Sequence, residues 1–333
     1  MLKLGVWRKE QFHDAPPPGL FARLHYLLSK SRVSLHLLRM PASPSAEETE
    51  RFERLMPHVR LSSGVYRTTY RARFRDLDAF VNPILIENFS SSQELRVEDW
   101  AASTCLTSRE WVETLFPLFP HLRFVASDIL LFLAEIEDPR SHERFVFEPD
   151  GHLLQYSRPP FVIRVEPPEP WAFPLNRLLS ARAVRRWKGL VRFSRPPDSW
   201  ADPVSDDRVE RNGYILRKLP LIHPEAVRLA RQDRRFTIRR HSVFEALQEP
   251  CEVIRSMNVF NRAYFSEVQL TEGARCVITS LVEGGIWIVG RTIAEDPPAH
   301  EVTIFQKQSS GRVTVLKRLG PGSEIEAIAL AAS

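Results

Sequence analysis

One strand–helix–strand succession constrains the fold of this chain more than any other feature. Leu95 to Trp100 is a predicted strand, Ser108 to Phe119 a predicted helix, and Leu122 to Ser127 a second predicted strand that runs into Asp128. Two parallel strands need a crossover connection, and a helix of this length supplies one. The spacing therefore predicts a parallel βαβ unit and an α/β protein.

The same alternation resumes later in the chain. It gives, in chain order, a helix over Pro224 to Gln232, strands over Phe236 to Arg240 and Glu252 to Ser256, a helix over Ser266 to Leu281 and a strand over Ile286 to Arg291. Residues 300–320 then alternate like two antiparallel strands joined by a Gln-Ser-Ser-Gly turn. The predicted fold is a Rossmann-like α/β sheet with a closing antiparallel hairpin.

A segment punctuated by prolines separates the two parts of this pattern. Residues 143–157 predict a β-hairpin around Pro149-Asp150-Gly151. Residues 171–195 contain seven arginines and lysines, no acidic residue and an apolar stripe at helical spacing. Such a basic amphipathic helix usually packs its stripe on the protein core. The alternatives are contact with an anionic membrane surface or with a phosphate-bearing ligand.

The N-terminal part of the chain is predicted to be helical, over Leu20 to Leu28 and again from Ser45 toward Pro57. Three predicted segments result. They are an N-terminal helical cap over 1–90, a Rossmann-like domain over 91–132 and 218–333, and an inserted α+β segment over 133–217.

Composition excludes several classes of protein. The formal net charge of +5 is a small excess for 333 residues, and the aromatic residues of the basic segment are too sparse for a base-stacking surface. No nucleic-acid partner is therefore expected. Neither a signal peptide nor an apolar run long enough for a membrane span is evident, so a cytoplasmic protein is expected.

Familiar catalytic and metal-binding signatures are also missing from the sequence. The three cysteines, Cys105, Cys251 and Cys276, show no CxxC spacing, which argues against a disulfide framework or a zinc knuckle. The sequence contains no GxSxG elbow, no GK[ST] phosphate loop and no HExxH helix. The scattered histidines indicate no metal site.

The stretch RVEDWAASTCLTS, residues 96–108, covers the turn between the first strand and its helix. In an open parallel sheet, ligands bind beyond the carboxyl ends of the strands, where backbone N–H groups of this turn face them. Glycine is favoured there because the backbone must approach the ligand closely. Alanine, serine and threonine keep part of that access.

This turn resembles the first motif of the class I S-adenosylmethionine-dependent methyltransferases, an acidic residue followed by a GxGxG turn. Asp99 stands at the acidic position, and Ala101, Ser103 and Cys105 stand at the three glycine positions. The resemblance implies that these four residues bind S-adenosylmethionine. Glu98 precedes Asp99, and a shift of the strand by one residue would exchange the directions of the two side chains.

Later positions extend the resemblance. The family holds the cofactor ribose with an acidic residue at the end of its second strand, which is Asp128 here, and contacts the adenine after its third strand, at His241 and Ser242. A carboxylate suits the ribose because it can accept hydrogen bonds from both hydroxyls. The open alternatives are a helix-capping role for Asp128 and ordinary turn roles for His241 and Ser242.

The stretch IRSMNVFNRAYF, residues 254–265, is similar to the loop after strand four of chemotaxis receptor methyltransferases, which indicates a bacterial-type protein. Asn258 is then a further cofactor residue, and Asn261, Arg262 and Tyr264 are candidate substrate residues. A turn-forming Asn258 and an exposed polar loop remain alternatives. The segment LVEGGIWIVGRT also resembles the family, and the closing hairpin distinguishes it from nicotinamide-binding Rossmann enzymes.

The resemblance implies transfer of a methyl group from S-adenosylmethionine to an unidentified acceptor, either a small molecule or a protein. Such an enzyme aligns the acceptor with the methyl group and, for some acceptors, removes a proton. No residue declares itself as the base; Tyr264 and His241 are the candidates. The alternative is a non-catalytic methyltransferase-fold binding or scaffolding protein, which the missing glycines favour. A nicotinamide-dependent enzyme is a third possibility.

Overall fold

The computed structural model describes residues 6–7, 33–41, 43–158, 161–168, 174–197, 200, 202 and 208–333. The predicted helix over Leu20 to Leu28 lies outside these residues. The chain divides into two compact units. The first unit comprises Met1–Thr68 and Phe132–His223, and the second comprises Thr69–Leu131 and Pro224–Ser333. The predicted segments divide the chain at 90, 132 and 217 instead.

The described strands and helices follow one another along both units. The strands are β1 (Val6–Trp7), β2 (Leu95–Trp100), β3 (Leu122–Asp128), β4 (Phe132–Asp138), β5 (Glu143–Phe147), β6 (Leu153–Arg158), β7 (Phe161–Arg164), β8 (Arg208–Arg211), β9 (Tyr214–Pro220), β10 (Phe236–Arg240), β11 (Cys251–Met257), β12 (Leu281–Glu295), β13 (Pro298–Lys307) and β14 (Val313–Leu319). The α-helices are α1 (Ala46–Leu55), α2 (Arg75–Asn88), α3 (Leu106–Leu115), α4 (Pro174–Leu190), α5 (Pro224–Gln232), α6 (Glu267–Thr279) and α7 (Glu326–Ala332).

The second unit is built on a sheet with the strand order β10-β3-β2-β11-β12-β13-β14. The strands from β10 to β12 run parallel to one another. Each of the last two strands runs antiparallel to the strand before it, β13 to β12 and β14 to β13. The predicted Rossmann-like sheet with a closing antiparallel hairpin is therefore confirmed.

The register of the central strands follows from burial on both faces of the sheet. Val97 of β2 lies beside Phe124 of β3 and beside Val253 of β11, and all three side chains are fully buried. Parallel strands that are covered on both faces read as nearly continuous apolar runs. The carboxyl ends of these strands meet at one edge of the sheet, where residues 99–105, 128, 241 and 258 lie.

Two helices of the second unit differ from the prediction at their ends. Helix α3 ends at Leu115 rather than at 119, because Pro117 has no N–H to continue the helical hydrogen bonds. Helix α6 begins after Ser266, whose hydroxyl accepts the N–H of Gln269 while the Gln269 side chain accepts the N–H of Ser266.

Helix α2 was not predicted, although it contributes Leu77, Val81 and Leu85 to the core.

The first unit is built on a second sheet, with the strand order β1-β7-β6-β5-β4-β9-β8. All its described pairings are antiparallel. Strands β5 and β6 form the hairpin that the sequence predicted. Helix α4 carries the basic segment, and its Trp187 ring lies 4.7 Å from the Phe147 ring in the core. Much of its apolar stripe packs inward, although Leu178 is 70% exposed.

Two further expectations concern membrane spans and metal sites. In the part that the structure describes, no helix has the length and apolar character needed to cross a bilayer. Within the same ranges, no group of three or more histidine, cysteine, aspartate or glutamate side chains is placed to hold a metal ion. Cys105, Cys251 and Cys276, all within these ranges, form no disulfide, and Cys105 and Cys251 are buried.

Candidate functional site at the carboxyl edge of the parallel sheet

The turn after β2 has an unusual backbone. Ala101, Ser103 and Cys105 have φ angles of 56°, 54° and 59°, which place all three in the left-handed region. These are the three positions at which the methyltransferase family that the turn resembles has glycine. A residue with a Cβ loses about 1–2 kcal/mol in this conformation. The glycine-type backbone of the turn is therefore retained, although none of the three residues is glycine.

Hydrogen bonds from neighbouring backbone groups hold this turn in place. The N–H of Ala102 donates to the carbonyl of Ser127 over 2.8 Å, and the N–H of Cys105 donates to the carbonyl of Ala102 over 2.8 Å. Cys105 immediately precedes helix α3, and its side chain is fully buried. Its thiol therefore points into the protein and leaves the outer side of the turn to backbone groups.

Asp128 ties the turn to the end of β3. Its Oδ2 accepts the N–H of Ser103 over 2.8 Å, and its Oδ1 accepts the N–H of Leu130 over 3.0 Å. The residue is only 7% exposed. Because β4 rather than a helix follows, Asp128 does not cap a helix. Acceptance of hydrogen bonds by a carboxylate is the chemistry that a ligand hydroxyl needs.

Asp99 forms an internal ion pair. Its Oδ1 accepts a hydrogen bond from Nε of Arg255 over 2.9 Å. Its Oδ2 accepts two more, from Nη2 of Arg255 and from the hydroxyl of Ser108, each over 2.5 Å. Arg255 also donates Nη1 to Asp78 over 2.8 Å. Burial raises the pKa of Asp78 to about 7, and the positive charge of Arg255 opposes that rise. Asp99 thus belongs to a buried Asp–Arg–Asp cluster.

The guanidinium of Arg255 also lies against two aromatic rings. Its Cζ is 4.2 Å from the Trp111 ring centroid and 5.3 Å from that of Phe74. Sequence reasoning missed this cluster. The available signal was the arginine in the middle of the apolar strand CEVIRSM, because a buried arginine requires carboxylate partners.

Glu98 points to the opposite face of the sheet from Asp99, as the period of two in a strand requires. Its Oε1 accepts Nη2 of Arg239 over 2.7 Å. Burial raises the pKa of Glu98 to about 7, and Arg239 opposes that rise. Because the two side chains lie on opposite faces, Glu98 pairs with Arg239 and Asp99 pairs with Arg255.

His241 lies beside the turn at the end of β10. Its backbone N–H donates to the Asp128 carbonyl over 3.2 Å, and its ring centroid is 4.5 Å from that of Trp100. Burial lowers the pKa of His241, so the neutral imidazole dominates at pH 7. Its Nε2 is buried and has no hydrogen-bond partner among the described residues. The Ser242 hydroxyl accepts the N–H of Phe244 over 3.2 Å, as in a turn.

Asn258 is bound to β12. It has a φ of 61°, its N–H donates to the Gly290 carbonyl over 2.8 Å, and its Oδ1 accepts the N–H of Thr292 over 2.7 Å. The Asn258 Nδ2 donates to the Thr292 hydroxyl over 3.4 Å. Asparagine tolerates the left-handed region better than most residues, which suits this turn. Both ends of the amide are thus used within the protein.

The loop after β11 is largely exposed. The Asn261 Oδ1 accepts the N–H of Ala263 over 2.7 Å, and the N–H of Arg262 donates to Glu324 over 3.1 Å. The Tyr264 side chain is 53% exposed. These contacts fix the backbone of the loop and leave the Tyr264 ring accessible to solvent.

The structure therefore brings some candidate residues together and separates others. Ser103, Asp128 and His241 form one connected group, and Trp100 joins them through the His241 ring. Asp99 belongs instead to the cluster around Arg255, and the Asn258 amide forms hydrogen bonds with Thr292. Thr104 is a further residue that sequence reasoning missed: it is 2% exposed, and its Oγ1 has no hydrogen-bond partner within the described ranges.

The direction of the last strands decides between the two Rossmann classes that the sequence allowed. A nicotinamide-type sheet continues in parallel after its fifth strand, whereas β13 here runs antiparallel to β12. The sheet therefore has the closing antiparallel hairpin that the resemblance to the class I methyltransferases predicts. In such an open sheet, the turn after β2 and the ends of β3, β10 and β11 form the edge at which a ligand is expected.

No family model and no curated protein matches this chain. One similar solved structure is an O-methyltransferase of neocarzinostatin biosynthesis in complex with S-adenosyl-L-homocysteine and 1,4-dihydroxy-2-naphthoic acid. It has 9% identity and a TM-score of 0.25, and the match covers 66% of this chain and 41% of that chain. This chain thus spans less than half the length of that protein.

Two further matches cover more of the other protein. An S-adenosylmethionine-dependent methyltransferase from Clostridium acetobutylicum has 11% identity and a TM-score of 0.31, with 78% of this chain and 80% of that chain covered. A sugar N-methyltransferase from Streptoalloteichus has 10% identity and a TM-score of 0.29, with 77% and 75% covered. At such TM-scores these matches carry no argument, and the description of the fold rests on strand order and direction.

Proposed function

We propose that this chain binds S-adenosylmethionine at the carboxyl edge of its parallel sheet and acts as a methyltransferase. The observation that carries the proposal is the left-handed backbone at Ala101, Ser103 and Cys105. A strained backbone persists only where the surrounding structure enforces it, and such strain clusters at functional sites. Retention of a costly turn at three positions supports a ligand that needs its backbone geometry.

The residues at this edge fit such a cofactor in part. The turn over 101–105 would face the amino-acid portion with backbone groups, and the Asp128 carboxylate would accept a ribose hydroxyl. The neutral His241 has an unpartnered Nε2 and could hydrogen-bond the adenine. The bound cofactor would supply an electrophilic methyl group on a sulfonium. Ser242 and Asn258 would contribute to the walls of the site rather than bind through their side chains.

An oxygen, nitrogen or carbon nucleophile of a small molecule or a protein would approach past Asn261, Arg262 and Tyr264. The catalytic base is not assigned, and the exposed Tyr264 phenol and the neutral His241 are the candidate groups. Cytoplasmic location and contact of residues 171–195 with a membrane surface remain predictions, and Trp171 and Phe173 lie outside the described residues.

A non-catalytic binding protein with the same fold is the second candidate. The observation that favours it is the internal use of polar groups that a cofactor would need. Arg255 and Ser108 engage the Asp99 carboxylate, and Thr292 engages the Asn258 amide. A site whose polar groups already pair with one another gains less from a ligand. The turn would then be inherited architecture.

Calorimetric titration of the full chain with S-adenosylmethionine and S-adenosylhomocysteine separates the two candidates. The enzyme proposal expects micromolar binding, which corresponds to about −8 kcal/mol. Asp128→Asn should weaken it at least about tenfold, because the charged acceptor is lost. Asp150→Asn, an exposed aspartate in the β5–β6 turn, is the matched control and should bind like the parent.

The scaffold candidate predicts a different pattern. The parent should then bind neither compound, and that result removes the enzyme proposal. A variant that combines Ala101→Gly, Ser103→Gly and Cys105→Gly recovers binding if the substituted turn alone prevents it, and otherwise still binds neither compound. Thermal unfolding of every variant shows whether loss of binding reflects loss of folding.

A further inference from the structure

A half-open cavity of about 280 Å³ lies at the surface of the first unit, where exposed arginines border it. Strands β5 and β6 supply one side of its lining and helix α4 supplies the other. Its polar lining consists of Ser141, Glu143, Tyr156, Arg158, Arg182 and Arg186. Three of these six side chains are guanidiniums and only one is a carboxylate, so the cavity has an excess of positive charge.

The single carboxylate is already occupied. Glu143 accepts the Tyr156 hydroxyl over 2.8 Å and Nε of Arg186 over 3.1 Å. Burial, followed by the hydrogen bond to Glu143, raises the pKa of Tyr156, which keeps the phenol protonated. The Ser141 hydroxyl likewise donates to Asp138 over 2.9 Å. None of these groups neutralises the other two arginines.

Arg158 and Arg182 form no ion pair with any described carboxylate, although both face the cavity. Their positive charges lower the pKa of Tyr156 and partly oppose the effect of burial, which places both close to the phenol. The cavity therefore holds about two uncompensated positive charges. Charges of like sign in one concave site attract an anion of opposite charge.

The secondary structure fixes the positions of these arginines. Arg158 follows Tyr156 by two residues on β6, so both side chains project from the same face of the sheet. Arg182 and Arg186 are four residues apart on α4, so both lie on the same face of the helix. Ala183 lies between them and is 1% exposed; its small side chain leaves space at the base of the cavity.

We propose that this cavity binds a small ligand through a dianionic phosphate group, either inorganic phosphate or a compact phosphomonoester. A guanidinium offers parallel N–H donors that match two oxygens of one phosphate, and three guanidiniums can together engage such a dianion. The net charge of the cavity matches a dianion better than a monocarboxylate. The volume admits a small molecule and not a folded partner.

The site consists entirely of first-unit residues, so it does not depend on the proposed cofactor site of the second unit. Phosphate binding with no binding of S-adenosylmethionine would remove the proposed function and keep this inference. The reverse result would do the opposite.

The test is calorimetric titration of the full chain with inorganic phosphate in low-salt buffer at pH 7.5, since salt screens such contacts. The parent should show saturable binding. Arg158→Gln and Arg182→Gln should each weaken it at least about tenfold, because each removes a charge-assisted contact. Arg185→Gln is the matched control: Arg185 is exposed on the same helix, as Arg182 is, but it does not line the cavity.

Three outcomes would overturn the proposal. They are no saturable phosphate binding by the parent, equal weakening by Arg185→Gln, and acetate binding as tightly as phosphate. Vesicles that contain phosphatidic acid test a lipid headgroup as the source of the phosphate. Vesicle binding that depends on Arg185 as much as on Arg182 would assign the helix surface instead of the cavity. Unchanged thermal midpoints exclude misfolding as the cause of any loss.

Discussion

Arg255 and Asp99 lie directly opposite each other on β11 and β2, and their side chains form a buried two-point ion pair of 2.9 Å and 2.5 Å. Asp78 holds the remaining end of the guanidinium. The acidic position of the first motif is thereby used to neutralise an arginine inside the sheet. This pairing makes Asp99 a structural residue whatever else it does.

Arg255→Met should destabilise the protein by about 3–5 kcal/mol, because it leaves two buried carboxylates without their partner. Urea unfolding measured by circular dichroism gives the change in the free energy of unfolding. Arg123→Met is the matched control, because Arg123 pairs with Glu94 at the surface and such a pair contributes about 0–1 kcal/mol. Equal effects of the two substitutions would contradict the assigned importance of the buried cluster.

Asp78 should make stability depend on pH. Burial raises its pKa in the folded state to about 7, above the ordinary value of 3.8. The folded protein then holds the proton more tightly than the unfolded chain does, so this contribution is complete below about pH 4 and is lost as the pH rises to 7.

Asp78→Asn removes that dependence. Its stability relative to the parent should therefore rise between pH 4 and pH 7 and level off above. The measurement is a series of urea unfolding curves across this range. Asp76→Asn, at an exposed position of the same helix, should give a difference from the parent that changes much less. A relative stability of Asp78→Asn that falls with pH would reverse the assigned direction.

The left-handed turn can be tested by a pair of neighbouring alanines. Ala101 has a φ of 56°, whereas Ala102 has a negative φ. Ala101→Gly should be neutral or stabilising by up to about 1 kcal/mol, since glycine removes the strain but costs chain entropy. Ala102→Gly should destabilise by at least about 0.5–1 kcal/mol, because the entropy cost and the loss of a buried methyl apply without any relief of strain. Chemical unfolding of both variants measures the two changes in the free energy of unfolding. A larger loss for Ala101→Gly than for Ala102→Gly would exclude strain at Ala101.

Asn258 should act mainly through its turn. Asn258→Ala loses the bonds to Thr292 and places a Cβ with no compensating amide in the left-handed region, so a loss of about 2–3 kcal/mol is expected. Asn258→Gly should lose about 1 kcal/mol less, because glycine accepts this conformation freely. The two thermal or urea transitions measure the difference. Equal destabilisation would show that backbone conformation has no part in the choice of asparagine.

Local patterns predicted much of the second unit. Apolar runs of strand length separated by a helix located β2, β3 and β10, and the prediction of helix α5 over Pro224–Gln232 is confirmed at both ends. These elements are set by short-range periodicity and by capping and proline signals, which a sequence displays directly. The hairpin of β5 and β6 was found for the same reason, through its Pro-Asp-Gly turn.

The long-range partners were not predictable in the same way. Helix α2 carries Asp78 to a site 177 residues away in sequence from Arg255, and no local pattern reports such a meeting. The antiparallel strands β4 and β9 were also missed, because strands paired across an insertion leave no turn signal between them. The residue Arg255 itself was visible as a charge in an apolar strand, but its partners were not.

The sequence by itself determined the order of strands and helices from β2 to β3 and from α5 to β14, the small residues of the turn after β2 and the excess of arginine on α4. Only the tertiary structure decided what the side chains contact. It turned Asp99 toward Arg255, joined Asp128 to Ser103, and gathered Arg158, Arg182 and Arg186 around one cavity. The physical reason is that backbone propensity acts between near neighbours, whereas burial and charge pairing act between residues that only the folded chain brings together.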